Sequence, residues 1–204
     1  MKFTIISASH RKTAESGRIG GYLESRLSAH SEVDEVKLLK LAEEDIPLWD
    51  DRFWNAESDL TAHMKPYMEE LTTSDGYILI AAEWGGMVPA ALKNFMLYWG
   101  QNETGHKPAM LVGVSASVGG SYPIAELRMS GYKNSKIVYT PDHLIVRSAS
   151  KMMTDNDPEG GEGFDKDIRE RAEHALHVLV TYAKAFKDIR ATDGVILDKY
   201  PFGM

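Results

Sequence analysis

Three short stretches carry residue types that could handle a small ligand. The first is Ser7-Ala8-Ser9-His10-Arg11-Lys12-Thr13-Ala14-Glu15-Ser16, which offers hydroxyls, an arginine and backbone donors ahead of a helical segment. A helix N-terminus presents unpaired N–H groups, and an arginine supplies a planar charged fork, a combination that suits a phosphate. The bland alternative is that Ser9, Thr13 and Ser16 cap the helix while Arg11 is solvated. The second stretch, Glu83-Trp84-Gly85-Gly86-Met87, joins one acid, one large aromatic and two glycines that would let a flat ligand approach the backbone. Its alternative is a tight turn with Trp84 packed beneath a neighbour. The third, Ser115-Ala116-Ser117-Val118-Gly119-Gly120-Ser121, is again small and glycine-rich. No stretch carries the Gly-rich dinucleotide fingerprint or the Walker pattern, so a single terminal phosphate, as on a mononucleotide, is favoured over a pyrophosphate.

The elements that must position these loops alternate along the chain. Tyr77 to Ala82 is a continuous apolar run, the pattern of a strand buried on both faces. Phe3 to Ser7, Val33 to Leu39, Ala109 to Ser115 and a segment within Lys136 to Val146 read as further strands, although Pro141 divides the last. Helical spacing predicts helices over Ser16 to Ala29, with Ile19, Leu23 and Leu27 on one face, and over Asp59 to Leu71. A third runs behind Pro89 with Leu92, Phe95, Met96 and Trp99 on one side, and a fourth spans Pro123 to Ser130. The longest, Phe164 to Ile189, carries Phe164, Ile168, Ala172, Leu176, Leu179, Ala183 and Phe186 in one stripe. Ala42 to Trp54 and Asn156 to Gly161 read as loops. Five strands alternating with five helices predict one doubly wound parallel sheet filling residues 1–204, helices on both faces. Right-handed crossovers then gather all three stretches at the carboxyl edge, where such sheets bind ligands.

Composition narrows the function classes. The 204 residues suffice for one compact domain with a large core. A net charge of −7 argues against a nucleic-acid or anionic-membrane surface. Without cysteine there are no disulfides, thiol catalysis or thiolate metal sites. Met1 to Ile6 is too short an apolar run for a signal peptide, and no stretch is long enough to span a bilayer, so a cytoplasmic location is expected. His174 and His177, one helical turn apart, read more readily as a helix face than as metal ligands. Lys107 and Lys151 have no readable role, and the aromatic end Tyr200 to Met204 could dock on this subunit or a partner.

Taken together, the motifs resemble the NAD(P)H-dependent FMN reductase family, the flavodoxin-like group that includes quinone and azo-dye reductases. Ala8-Ser9-His10-Arg11-Lys12 looks like that family's Gly-Ser-x-Arg phosphate loop, with Ala8 where Gly is usual. Asp75 to Leu79 matches its central strand, and Glu83-Trp84-Gly85-Gly86 stands where the family carries Pro-Glu-Tyr-Asn. Pro89, Leu92-Lys93-Asn94 and Trp99 follow its Pro-Gly-x-Leu-Lys-Asn helix. Ser115 to Gly120 with Glu126-Leu127-Arg128 matches the late Gly-Gly loop, and Ile46 to Asp50 its short Leu-Pro-Leu loop. The departures are Ala82 for Pro, Trp84 for Tyr, Gly85 for Asn, Leu97 for an acid and Ala14 for a serine.

The resemblance implies a flavodoxin-like sheet of strand order 2-1-3-4-5 and an oxidoreductase in which FMN carries the chemistry. Ser9, Arg11 and Ser16 would hold the phosphate. Glu83, Trp84, Gly85, Gly86, Ser115, Gly119 and Gly120 would surround the ring, and His10 sits close enough in sequence to touch it. NADPH or NADH would deliver hydride, and a small-molecule acceptor (a quinone, azo compound or flavin) would remove it. No acid–base dyad and no metal are expected; a structural role for Glu83, pairing with Lys93 or capping, is preferred over a catalytic one. A homodimer or homotetramer is implied, with Phe95, Met96, Tyr98 and Trp99 suited either to that interface or to packing on the sheet. A non-enzymatic FMN electron carrier and a flavin-free regulatory module on the same fold stand as alternatives.

Overall fold

A computed structural model describes residues 1–157, 159–192, 195, 199, 200 and 202. Five parallel strands, β1 (Lys2–Ser7), β2 (Glu35–Lys40), β3 (Gly76–Ala82), β4 (Pro108–Val114) and β5 (Val138–Val146), form one sheet in the order β2-β1-β3-β4-β5. That is the expected flavodoxin-like arrangement. β3 and β4 are buried over almost their whole lengths, which is why their sequences run apolar without alternation. Helices α1 (Glu15–Ser28) and α6 (Phe164–Ala191) cover one face, packing Ile19, Leu23, Leu27, Leu176 and Leu179 on Ile5, Ile78, Ile80 and Val112. On the other face α2 (Asp59–Thr73), α3 (Ala90–Met96) and α5 (Ser121–Met129) bury Met64, Leu71, Leu92, Phe95 and Leu127 against Ile6, Leu79 and Leu111.

Several boundaries differ from the sequence reading. The third helix stops at Met96, and a separate short helix, α4 (Gln101–Thr104), precedes β4. Gly100 sits between them in extended backbone, so one apolar stripe is split into two pieces. β5 runs straight through Pro141. A proline is tolerated on an edge strand, and the strand absorbs it as a shift in register opposite Ala109 and Leu111. Phe164 does not join the core stripe of α6; it is the first residue of the helix and 53% exposed. Phe95, Tyr98 and Trp99 are buried within the chain, which selects sheet packing over an interface for those three.

Register explains how the loops meet. Ser7 lies opposite Ile80, Ala82 opposite Val114, and Val114 opposite Val146, so four strands end nearly level. The stretches that follow β1, β3 and β4 therefore leave the same edge. Among the described residues no helix is long and apolar enough to cross a membrane.

Candidate functional site

The loop after β1 turns at Ser9, whose buried Oγ accepts the Arg11 N–H at 3.1 Å. Arg11 itself is exposed, with one guanidinium nitrogen donating to the Thr13 carbonyl at 3.2 Å. Helix α1 then starts behind Ala14 in extended backbone, with no side chain capping it. This removes the capping alternative for Ser9, Thr13 and Ser16. The Gly17 and Arg18 N–H groups turn back to the Ala14 carbonyl at 3.0 and 3.3 Å, which leaves those of Glu15 and Ser16 to an external partner. Ser16 is buried, and its Oγ accepts from the Ser7 hydroxyl at 3.2 Å, so its own O–H is still available. His10 reaches elsewhere: its Nε2 accepts the Ala91 N–H at 3.1 Å, linking the loop to the start of α3.

After β3 the chain makes a two-residue turn. Trp84 and Met87 exchange both backbone bonds, at 3.2 and 2.9 Å, around Gly85 and Gly86 with φ of 57° and 78°. Two successive positive φ values define a type I′ turn, which side-chain-bearing residues enter only with strain. The glycines are thus required by the turn itself, before any ligand is considered. Trp84 is not packed beneath a neighbour; it stands 43% exposed on the rim.

Glu83 does not pair with Lys93. Its Oε2 accepts the Gly120 N–H at 2.7 Å, so it caps α5 from the neighbouring loop. Lys93 binds Glu126 at 2.7 Å, and Glu126 also accepts the Val88 N–H at 2.8 Å. Burial opposes ionisation of Glu126, but the Lys93 ammonium and the Val88 N–H outweigh it and hold the carboxyl below its usual range. Asn94 accepts from Trp49 N at 2.8 Å and donates to the Pro47 carbonyl at 2.7 Å, so it pins the Ile46 to Asp50 loop against α3.

The loop after β4 is packed tightly. A Cβ on Gly119 would fall 1.9 Å from Glu83 Oε2, and one on Gly113 would fall 2.1 Å from the Gly120 carbonyl. Gly120 holds φ at 99°. Ser115 Oγ accepts from the Ser117 N–H at 3.3 Å, a turn contact inside the loop.

These pieces enclose a cavity of about 260 Å³. Of the candidates, Ser9, Arg11, Ser16, Glu83 and Trp84 line it. Gly85, Gly86, Ser115, Gly119 and Gly120 do not; they set the shape of the loops around it. Ala14, Ala82, Val114 and Ala116 also line it, although the sequence does not mark them as site residues. They are small apolar residues at strand and helix ends, with no chemical signature. A larger groove of about 680 Å³ runs between β5 and the first turns of α6 past Asp142, His143, Phe164 and His174, and none of the residues expected to hold the ligand lines it. There, His174 lies 3.9 Å from Asp142, while His177 meets the His30 ring at 6.0 Å. Among the described residues no group of three acids or histidines could hold a metal. Lys107, unread in the sequence, is buried at the far edge of the sheet. Its ammonium donates to the carbonyls of Leu71, Thr72 and Glu103 at 2.9, 2.7 and 2.6 Å. Of the aromatic C-terminus, Pro201, Gly203 and Met204 fall outside the described residues; Tyr200 and Phe202 are exposed.

The family model described as NADPH-dependent FMN reductase matches residues 1–151. Among solved structures, FerB, a flavoenzyme NAD(P)H:(acceptor) oxidoreductase from Paracoccus denitrificans, superposes with a TM-score of 0.69 at 18% identity, covering 91% of this chain and 98% of its own. An oxidoreductase from Corynebacterium diphtheriae gives 0.68 at 14% identity, with 90% and 97% covered. An FMN-dependent NADH-azoreductase from Bacillus anthracis, solved in complex with FMN, gives 0.58 at 14% identity, with 88% and 100% covered. The comparison with curated proteins gives no match.

Proposed function

The chain belongs to the NADPH-dependent FMN reductase family, and from that premise we propose that it is an FMN-dependent NAD(P)H oxidoreductase acting on a quinone, azo compound or flavin. The observation that carries this reading is the uncapped N-terminus of α1 opening onto the same cavity as the Glu83-Trp84 turn. A phosphate needs the first feature and a flat ring the second. The residues fit FMN on both counts: the α1 donors are unmatched by any side chain, and Ala82, Val114 and Ala116 line the cavity beside the half-exposed Trp84, which leaves room for a flat ring.

The chemistry FMN supplies when bound is electron transfer from NADPH or NADH in one half-reaction to the acceptor in the other. The protein's own share is binding and orientation. Arg11 is free to swing its guanidinium onto the phosphate, beside the Ser9 loop and the α1 N–H groups. Trp84, on the rim, would flank the open face where donor and acceptor take turns. Glu83 holds the second and third loops together and, spent on Gly120, is not a proton-transfer group.

A homodimer or homotetramer and a cytoplasmic location belong to the same proposal. Trp54 and Leu97 are exposed on a groove of about 620 Å³, which supports a covering partner copy. Light scattering that gives the monomer mass would sink that part. The whole reading is tested by the absorbance spectrum of purified protein after FMN is added and excess removed. Retained flavin that NADPH or NADH bleaches and a quinone restores is the expected result. Flavin retained but never bleached would make the chain an electron carrier, and no retained flavin would overturn cofactor binding.

A further inference from the structure

A side chain that never touches the cavity ties two of its walls together. Arg18, one turn into α1, donates to three backbone carbonyls of the segment after β5: Ala149 at 2.6 Å, Met152 at 2.8 Å and Met153 at 2.5 Å. Its Nε donates to Glu15 at 2.8 Å, which fixes the guanidinium against the first turn of α1.

The segment it grips is strained. Ser148 and Met153 bracket it with φ of 48° and 51°, a left-handed conformation that residues with a Cβ enter only at a cost. Such backbone persists where its surroundings over-determine it, and the three Arg18 bonds, together with the Met153 N–H donating to Asp165 at 2.7 Å, do so here.

The same segment grips the third loop. Ala149 N–H donates to the Ser115 carbonyl at 3.1 Å and Ser148 N–H to the Ser117 carbonyl at 2.8 Å. Arg147 Nε donates to the carbonyls of Val118 at 2.7 Å and Gly119 at 3.1 Å. Four carbonyls of the loop are thereby held from residues 147–149.

We propose that Arg18 is a positioning residue for the flavin site, acting through the turn 147–153 on the 115–119 loop, so that the phosphate-side helix and the ring-side loop are fixed as one body. The assignment of the two walls to phosphate and ring rests on the FMN reading above; the mechanical link does not.

The test separates the two. Hydrogen exchange of the protein without added flavin compares wild type with Arg18→Ala, and with Arg18→Gln, which keeps a shorter donor should the alanine variant fail to fold. Faster exchange at residues 115–120 as well as 147–153 is expected. Unchanged exchange at 115–120, with 147–153 loosened, would overturn the link whatever the protein does with flavin. FMN titration then reads the consequence. Loss of Arg18 should weaken FMN by about 2- to 30-fold, the range that side chains remote from a ligand impose through a packed network. Arg147→Ala should weaken it comparably, and the double variant by less than the product of the two, because cutting either end breaks the same path. A full product would show that the two arginines act independently and would overturn the proposal. Failure of wild type to retain FMN overturns the cofactor reading instead, and leaves the exchange result to decide the link.

Discussion

Removing the carboxylate of Glu83 tests whether the second and third loops form one cradle. The Oε2–Gly120 N distance of 2.7 Å and the burial of Gly120 make this a charge-assisted bond to an otherwise unpaired donor. Such bonds contribute about 1.5–3 kcal/mol, and Glu83→Ala forfeits the bond while leaving Gly120 N–H buried without an acceptor. For a chain of this length each kcal/mol moves the melting temperature by about 2–4 °C, so a fall of roughly 3–12 °C is expected in the flavin-free protein. Glu83→Gln keeps an acceptor oxygen and loses the charge; a neutral bond retains about 0.5–1.5 kcal/mol, which places this variant between the other two.

Gly119 supplies a second handle on the same contact. A methyl group there would overlap Glu83 Oε2, at 1.9 Å, so Gly119→Ala should displace the carboxylate and destabilise the wild type. In the Glu83→Ala background that obstacle is gone, and the same substitution should cost less. The assay is thermal unfolding followed by circular dichroism for the four chains of the cycle. An unchanged melting temperature in Glu83→Ala, or equal costs of Gly119→Ala in both backgrounds, would refute the clasp.

Other substitutions probe the rest of the site. Arg11→Ala should weaken FMN binding by about 1.5–3 kcal/mol, roughly 10- to 150-fold in Kd by fluorescence titration; unchanged affinity would remove Arg11 from the phosphate site. Gly85→Val forces a β-branched residue into φ of 57° and should cost about 1–2 kcal/mol in denaturant unfolding before any effect on flavin; a wild-type midpoint would deny the strained turn. Lys107 carries a pH signature. Burial, aided by Arg190, pulls its ammonium down to about 7, against the opposing pull of Asp75 and Glu103. The unfolded chain, with an ordinary lysine near 10.5, then binds more protons between about pH 7 and 10.5. Stability should rise with pH across that window, and Lys107→Met should abolish the rise. If wild type and variant instead keep a constant difference, the three carbonyls hold the ammonium charged throughout.

What could be read from the sequence is what local pattern dictates. Continuous apolar runs at Tyr77 to Ala82 and Ala109 to Val114 announce strands buried on both faces, and their order follows from the alternation with helices. The three loops are visible because serine, glycine and arginine cluster at strand ends. The rest depends on contacts between distant segments. Ala82 and Val114 become cavity walls only because β3 and β4 pair with those two residues side by side. Of the two structural roles open to Glu83, pairing with Lys93 or capping, local sequence cannot choose, because the capped N–H belongs to Gly120, far along the chain. Gly85 and Gly86 suit either a flat ligand or a tight turn in the sequence, and the I′ turn already demands them. Arg18 and Arg147 left no signal, since an arginine on a helix or at a strand end is ordinarily solvated.

This division has a physical origin in how the site is built. The cavity-lining residues are few and mostly small, so their side chains supply little of the positioning. Position comes from side-chain bonds to the backbone of other segments, one from the cavity wall and the rest from behind it: Glu83 on Gly120, Arg147 on Val118 and Gly119, Arg18 on the turn that follows β5, His10 on Ala91 and Asn94 on Pro47. Each of these contacts takes a polar or charged side chain to a backbone group of a different segment, and most satisfy an N–H or C=O that no regular element satisfies. Such bonds constrain loop geometry while placing few demands on the identity of the loop residues themselves. That explains how Ala82, Trp84 and Gly85 can depart from the usual family pattern without dismantling the cradle. It follows that substitutions among these bonding side chains should disturb flavin binding more than substitutions at exposed loop residues such as Ser117 or Val118. A scan of FMN affinity across both sets is the measurement that distinguishes them, and greater losses at Ser117 and Val118 than at Glu83 and Arg147 would place the recognition in the loop side chains instead.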